Sequence, residues 1–420
     1  MTKKYTNYNV NGDRYYINRF DYTPIIMILG YIYFTYTLHL IINNNNSVFG
    51  FVFMCIVGAT ILLGYLLPKF KSSVWSPSTT LITKWKYRRK VDFLIILCSL
   101  VTIGYCLNFI TSYYKGISDI LFYAINPGKA YEYIKMIKKY PELNNVNGGF
   151  GSVISILLTL SAGTKYIFIT LSLLYWKKIK TITKLISVLA IGIYILYSLL
   201  VGSMIAIASL FLACFPIFIF HFRDNNSIFL NKWKVITSTL LISSLVFFFI
   251  NNRTTGEGIE TILFYITHGY VGLEYALKLP FEFTYGFTTF KGITSYFVDY
   301  LGVTNYINNS YPFRNETVNG WPALSVWSTI FPWLASDFSF ALIPFILFFI
   351  SYKFSMLWNK TRGTKNPYGF LLLGQIFIFW FMIPANNQLF HTFENSMAFI
   401  LILIIYKISK YKIVWRDKRS

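Results

Sequence analysis

LISVLAIGIYILYSLLVGSMIAIASLFLACFPIFIFHF, residues 185–222, runs for 38 residues without one Asp, Glu, Lys or Arg. A helix rises about 1.5 Å per residue, so a single helix of this length would reach about 57 Å, nearly twice the roughly 30 Å hydrocarbon core of a bilayer. The run therefore reads as two membrane spans, broken at Gly202-Ser203, where glycine marks the turn. A transmembrane barrel strand would alternate apolar and polar residues over a short stretch, and this run does not. The chain is read as an all-α polytopic membrane protein, because a helix satisfies its own backbone polar groups inside lipid.

The rest of the chain extends that reading. Hydrophobic residues make up 55% and charged residues 13%, with a mean hydropathy of +0.51. A soluble domain carries about 25% charged residues. Ten spans are expected, near 24–42, 48–67, 91–113, 151–175, 185–202, 203–221, 235–250, 338–358, 367–385 and 395–411. The opening MTKKYTNYNVNGDRYYINRF is polar and too long for the n-region of a signal peptide, so the first span is expected to remain as a signal-anchor. Cys55, Cys98, Cys106 and Cys214 all fall inside apolar runs, which reads as small core residues rather than disulfides or metal-thiolate ligands.

A formal net charge of +22 raises nucleic acid as a partner. The distribution of the charge excludes it. Segments 1–21, 68–90, 176–184, 221–234, 359–366 and 407–420 hold 27 of the 38 Lys and Arg, and the opposite set of segments holds nine. Positively charged loops stay in the cytoplasm, so both termini are expected there.

The chain then divides into 1–250, with seven spans; 251–336, a large outer loop; and 337–420, with three spans and a basic tail. Within the first part, 115–149 carries apolar residues at helical spacing around a Pro-Gly break. It reads as one or two amphipathic helices at the interface. The 251–336 loop breaks the basic trend, with four Lys/Arg against six Asp/Glu and many aromatic residues. One helix is expected in it, over 259–279.

No nucleotide-binding, metalloprotease or serine-hydrolase motif occurs, and no His or carboxylate cluster would cage a metal. No metal and no cofactor are expected. The chemistry must come from scattered outer residues. Arg253 and Arg314 have the planar fork that grips phosphate bidentately; the structural alternatives are ion pairs with Glu257 or Glu260 for the first and Glu316 for the second. His268 and His391 are general-base candidates, with Glu282 and Asp299 behind them. Asp337, placed at the start of the eighth span, either caps a helix or activates a hydroxyl. Glu274 and Lys278 are spaced as a surface i,i+4 pair. Asn386, Asn387 and Gln388, with His391 and Glu394 after them, crowd polar groups into one short turn suited to sugar hydroxyls. Tyr270, Trp321, Trp327 and Trp333 are candidate sugar-stacking or interfacial residues. Lys165 stands within an expected span, where an ionisable residue is a functional candidate.

Four stretches in order carry a resemblance: THGYVGLEYALKLPFEFTYGF at 267–287, Gly320-Trp321, WSTIFPWLASDFSF at 327–340 and IPANNQL at 383–389, with an echo in AINPGKAYEYIK. Together they resemble the O-antigen polymerases, the Wzy-type oligosaccharide repeat-unit polymerases of bacterial inner membranes. The resemblance implies a GT-C-like fold and a multi-pass place in the inner membrane with the active face periplasmic. It implies transfer of a growing glycan from undecaprenyl diphosphate to the terminal sugar of a new lipid-linked repeat unit. The implied partners are that lipid-linked oligosaccharide, membrane lipids, a chain-length regulator and other O-antigen assembly proteins. It implies diphosphate contacts at Arg253 and Arg314 and leaves the base open among His268, Asp337 and His391. The Arg-x10-Gly spacing of some members is not kept, since Phe264 and Ser325 stand at those positions. The alternatives are an O-antigen ligase of the same architecture and a lipid-linked oligosaccharide flippase or transporter. A transporter pathway calls for several charges inside the spans, and only Lys165 is well inside one.

Overall fold

A computed structural model describes residues 9–10, 13–14, 20–43, 47–72, 89–139, 161–224, 258–323 and 328–417. Fourteen α-helices lie among the described residues. They are α1 (Thr23–Ile42), α2 (Val48–Ser72), α3 (Lys90–Tyr113), α4 (Ile117–Ile125), α5 (Pro127–Lys139), α6 (Thr164–Tyr175) and α7 (Thr181–Leu200). Then follow α8 (Met204–Asp224), α9 (Gly258–Ala276), α10 (Lys291–Leu301), α11 (Tyr311–Asn319), α12 (Ile330–Thr364), α13 (Pro367–Phe381) and α14 (Phe393–Asp417). A two-residue antiparallel pairing of Asn9–Val10 with Asp13–Arg14 is the sole β-structure among the described residues.

Five helices, α1, α2, α3, α7 and α12, are long and apolar enough to cross a membrane, and shorter apolar helices run over Thr164–Tyr175, Ile205–His221 and Pro367–Phe381. The protein is a helical membrane protein. Many large apolar side chains point outward, including Phe34, Leu63, Phe93, Leu185, Phe345 and Phe349, as lipid-facing surfaces require. The expected span at 235–250 and the first part of the one at 151–175 lie outside the described residues.

The long apolar run does break where its length requires. α7 ends at Leu200 and α8 begins at Met204, with Gly202 between them at φ +65°. A Cβ on Gly202 would stand 2.5 Å from the carbonyl oxygen of Pro127, so both the backbone angle and the close approach of α5 demand glycine. Within the 115–149 segment, residues up to 139 form two helices, α4 and α5, parted at Asn126-Pro127, and 140–149 lie outside the described residues. Tyr114 fastens them to the bundle by donating to the carbonyl of Leu200 at 2.6 Å.

The eighth span departs from expectation. Its helix begins at Ile330 rather than 338 and kinks at Ser339 (φ 61°, ψ 156°). Residues 330–337 are all buried in protein, so the polar ones among them did not need to lie outside the helix. α12 packs along α2, where Gly64 lets the backbones meet: a Cβ there would be 2.3 Å from the carbonyl oxygen of Phe348. α3 packs on α6 and α7, and α13 on α8. Asp21 ties the start of α1 to the end of α12, accepting from Trp358 Nε1 (3.2 Å) and Arg362 Nη1 (3.3 Å). Asp92 does the same for α3 and α7, accepting from the Lys180 amide and from Thr183 Oγ1 at 2.9 Å.

The first helix of the 251–336 segment, α9, is packed into the bundle. α9 runs beside α1 in parallel register: Tyr270 and Thr35 share a hydroxyl hydrogen bond (2.8 Å), and one turn on His39 Nε2 meets Glu274 Oε1 (3.1 Å). Asn43 Nδ2 donates to His39 Nδ1, which leaves Nε2–H to donate to Glu274. Glu274 is thus a buried partner of α1 and not half of a surface pair with Lys278.

Candidate functional site

One polar cavity opens within the helices, at the face that bears the 200–204 and 382–392 turns. It encloses about 340 Å³ and is walled by α3, the starts of α6, α8 and α14, and the end of α7. Its lining includes Lys165, Tyr105, Tyr166, Tyr194 and Tyr197, with Gln388, His391, Glu394 and Asn395.

Each position follows from its helix. Lys165 stands at the start of α6, which begins at Thr164 after a 3₁₀ turn over Ser161–Gly163, with its side chain half-buried; the first part of the span expected around it lies outside the described residues. Its Nζ lies 5.0 Å from the Tyr166 ring and 5.2 Å from the Tyr194 ring, held by the negative faces of both. Tyr105 and Tyr197 meet edge to face (5.6 Å), their hydroxyls 3.4 Å apart. Glu394 stands in the first turn of α14, where the helix dipole favours a carboxylate. No ion pair joins it to Lys165 within 4.0 Å among the described residues, so both charges face the cavity. The Asn395 amide donates to the Gln388 carbonyl (2.9 Å), closing the turn before the helix.

His391 forms the wall between this cavity and a second cluster behind it. Its ring stands edge-on to Trp333 (centroids 5.5 Å, 88°), and Lys291 Nζ lies 5.2 Å from the Trp333 ring. Burial, with the Lys291 charge beside it, pushes the His391 imidazolium down to about 4, and burial also lowers the Lys291 ammonium. His391 is therefore neutral near pH 7 and a weak base. It suits hydrogen bonding better than proton abstraction.

Asn386, Asn387 and Gln388 are all buried. Asn386 sits at φ 142°, steadied by its own Oδ1, which accepts from the Asn387 amide (2.6 Å). Asn387 Nδ2 donates to the carbonyl of Thr289 (2.7 Å). Only Gln388 of the three lines the cavity.

The other sequence candidates lie elsewhere. His268 is 2% exposed, stacked on Phe264 (4.8 Å), with Nδ1–H donating to the Phe264 carbonyl at 2.6 Å; it is a packed helix residue and not an exposed base. Tyr270 is fully buried between α1 and α9, where no sugar reaches it. Arg314 donates to Glu282 Oε1 (2.8 Å) and to the carbonyl of Pro280 (2.6 Å), so its fork pins the 280–282 loop, and its partner is Glu282 rather than Glu316. Asp337 accepts from Thr284 Oγ1 (2.5 Å) and from the amides of Gly286 and Thr289 (2.7 Å each). Its oxygens order the turn ahead of α10; they cap that turn and not the span. Trp321 lies near Tyr275, away from the cavity. Arg253 and Trp327 lie outside the described residues.

Tyr105, Tyr194, Tyr197 and Lys291 escaped the sequence reading. The first three stand in apolar spans, where tyrosine is ordinary packing; the polar positions Thr102, Tyr105, Tyr194 and Tyr197 on two facing helices were the available signal. Helical membrane protein is the class that fold and site define. No protein-family model, curated protein or solved structure matches the chain.

Proposed function

We propose that this protein extends lipid-linked oligosaccharides as an O-antigen-type polymerase, with the Lys165–Glu394 cavity as its reaction chamber. The observation that carries the reading is the cavity itself: one cation, one carboxylate, two side-chain amides and four tyrosines converge in a space large enough for a sugar residue. Amides and hydroxyls pair with sugar hydroxyls, and tyrosine rings cover sugar faces. The four ordered stretches of O-antigen-polymerase resemblance supply the substrate class.

In this reading the acceptor sugar's hydroxyl oxygen attacks the anomeric carbon of the donor glycan. The bond from that carbon to the diphosphate oxygen breaks, and the electron pair leaves with the lipid diphosphate. Glu394 takes the hydroxyl proton. Lys165 stabilises the negative charge that develops on the leaving group, as a fixed cation in a poorly hydrated site can. His391, neutral, orients one of the reacting groups. By the charge distribution the chamber faces the periplasm.

The test is a gene deletion in the native host, read on a lipopolysaccharide gel. The proposal expects core carrying a single repeat unit, restored to a ladder by the intact gene. Bare core would refute it, and bare core accompanied by long lipid-linked chains would assign the ligase instead.

A further inference from the structure

Of the three buried amides in the 386–388 turn, two hold the turn itself. Asn386 Oδ1 accepts from the Asn387 backbone N–H (2.6 Å), and Asn387 Nδ2 donates to the Thr289 carbonyl (2.7 Å). Gln388 is held differently, by its backbone. Its N–H donates to the Asn386 carbonyl (3.0 Å), and its own carbonyl accepts from Asn395 Nδ2 (2.9 Å). The Gln388 side-chain amide makes no hydrogen bond among the described residues, although the residue is only 6% exposed and lines the chamber. A largely buried amide that the protein leaves unpaired, beside open space, points to a ligand.

The surroundings point the same way. Asn386 stands at φ 142°, and strained backbone of this kind gathers where a functional group is aimed. The bond from Asn395 sets Gln388 against the first turn of α14, whose second residue is Glu394. Glu394 and Lys165 both act electrostatically on the Tyr105 hydroxyl, which gathers the two charges and that hydroxyl around one space. The space encloses about 340 Å³, and small-molecule sites begin near 300 Å³.

A primary carboxamide offers one acceptor and two donors in a single plane. Its oxygen accepts from one hydroxyl while its nitrogen donates to the oxygen of the next, provided that the two hydroxyls stand on adjacent carbons. A trans N-acetyl group directs its N–H and C=O to opposite sides, so this one side chain does not engage both. We infer that Gln388 is a specificity-determining residue of the chamber, selecting a pyranose that carries a free pair of adjacent hydroxyls. Neither charge is spent on this recognition, which leaves Lys165 and Glu394 to the reaction. The inference rests on the reading of the cavity as a sugar site and deepens it, naming the feature of the sugar that is read.

The experiment is saturation-transfer NMR of the full-length protein in nanodiscs with the methyl glycosides of glucose, galactose and mannose, each beside its 3-deoxy analogue. Loss of the one hydroxyl removes every adjacent pair on the ring and leaves the ring faces for tyrosine. At least one parent glycoside should bind about tenfold or more tightly than its analogue, because a site built for hydroxyls rejects a ligand that leaves its polar group unpaired. Gln388→Met, unbranched and without donor or amide acceptor, should bring the parent down to the level of the analogue and leave the analogue unchanged. Its thermal midpoint should also be unchanged, since the turn is held by the backbone of Gln388. Gln388→Glu, which keeps the acceptor and loses the donor, should retain part of the preference. Equal binding of parent and analogue, an undiminished preference in Gln388→Met, an equal loss of both ligands in that variant, or no binding of any glycoside overturns the inference. Because the readout is binding, it is separable from the polymerase reading. The expected pattern in a protein whose deletion leaves bare core would keep the role of Gln388 and sink that reading. A single-repeat phenotype with parent and analogue bound alike would do the reverse.

Discussion

Asp337 holds a turn together, and that has a measurable consequence. Three donors converge on its carboxylate, two of them backbone amides with no other role in the turn. Hydrogen bonds to a charged group contribute about 1.5–3 kcal/mol, and removing the acceptor strands the donors, so Asp337→Ala should cost about 3 kcal/mol or more. Thermal unfolding in detergent checks this; a variant of native stability that had lost only activity would return Asp337 to the list of bases. His391 makes a second prediction. Its folded value, about 4, lies below its ordinary 6.5. The unfolded chain therefore takes up the proton first, and stability should be level above pH 6.5 and fall as pH drops from 6.5 towards 4. His391→Gln should flatten that part of the profile in a pH series of thermal midpoints. At this scale the sequence showed residue types but not partners. Arg314 reaches back to Glu282 rather than along its helix to Glu316, and Glu274 finds His39 rather than Lys278, because tertiary approach decided both. Lys291 carried no signal at all until burial gave it one.

Helices were the legible level, since apolar length is a property of local sequence. Residues 185–222 had to break, and they break at 201–203, within the turn that Gly202 forms. Gly202→Val should therefore damage the protein, through both its positive φ and the 2.5 Å approach to Pro127. Gly64→Leu should do the same between α2 and α12, where the obstructing atoms are backbone and cannot rotate away; overpacking of this kind costs about 1–3 kcal/mol or more. Monodispersity on size-exclusion chromatography and the thermal midpoint report both, and native behaviour of either variant would mean that the helices do not meet as described. Hydropathy missed the start of α12, because Ser336 and Asp337 end the apolar run while burial in protein lets the helix begin at Ile330. The helix expected over 259–279 is present as α9, but hydropathy placed it in the outer loop and not against α1. Thr35, His39 and Asn43, spaced by four along the first span, were the sign that a polar helix packs there.

For the whole molecule, the charge asymmetry gives a direction. On the orientation expected from the positive-inside rule, Asn319 and the proposed chamber would face outward and Lys365 inward. Cysteines placed at Asn319 and Lys365 should then differ: the first labelled by an impermeant maleimide in spheroplasts, the second only after permeabilisation. The reverse pattern would put the chamber on the cytoplasmic side. The chamber draws on α3, α6, α7, α8, the 382–392 turn and α14, so no single stretch of sequence could have displayed it. Lys165, His391 and Glu394 were each visible as candidates, and only the fold brings them to one cavity. The most direct test of the account is glycan chain length in a deletion host complemented with Lys165→Met or Glu394→Gln at normal protein levels. The account predicts a single repeat unit on core from both variants. Full-length ladders from both would show that the cavity is not where the chain is extended.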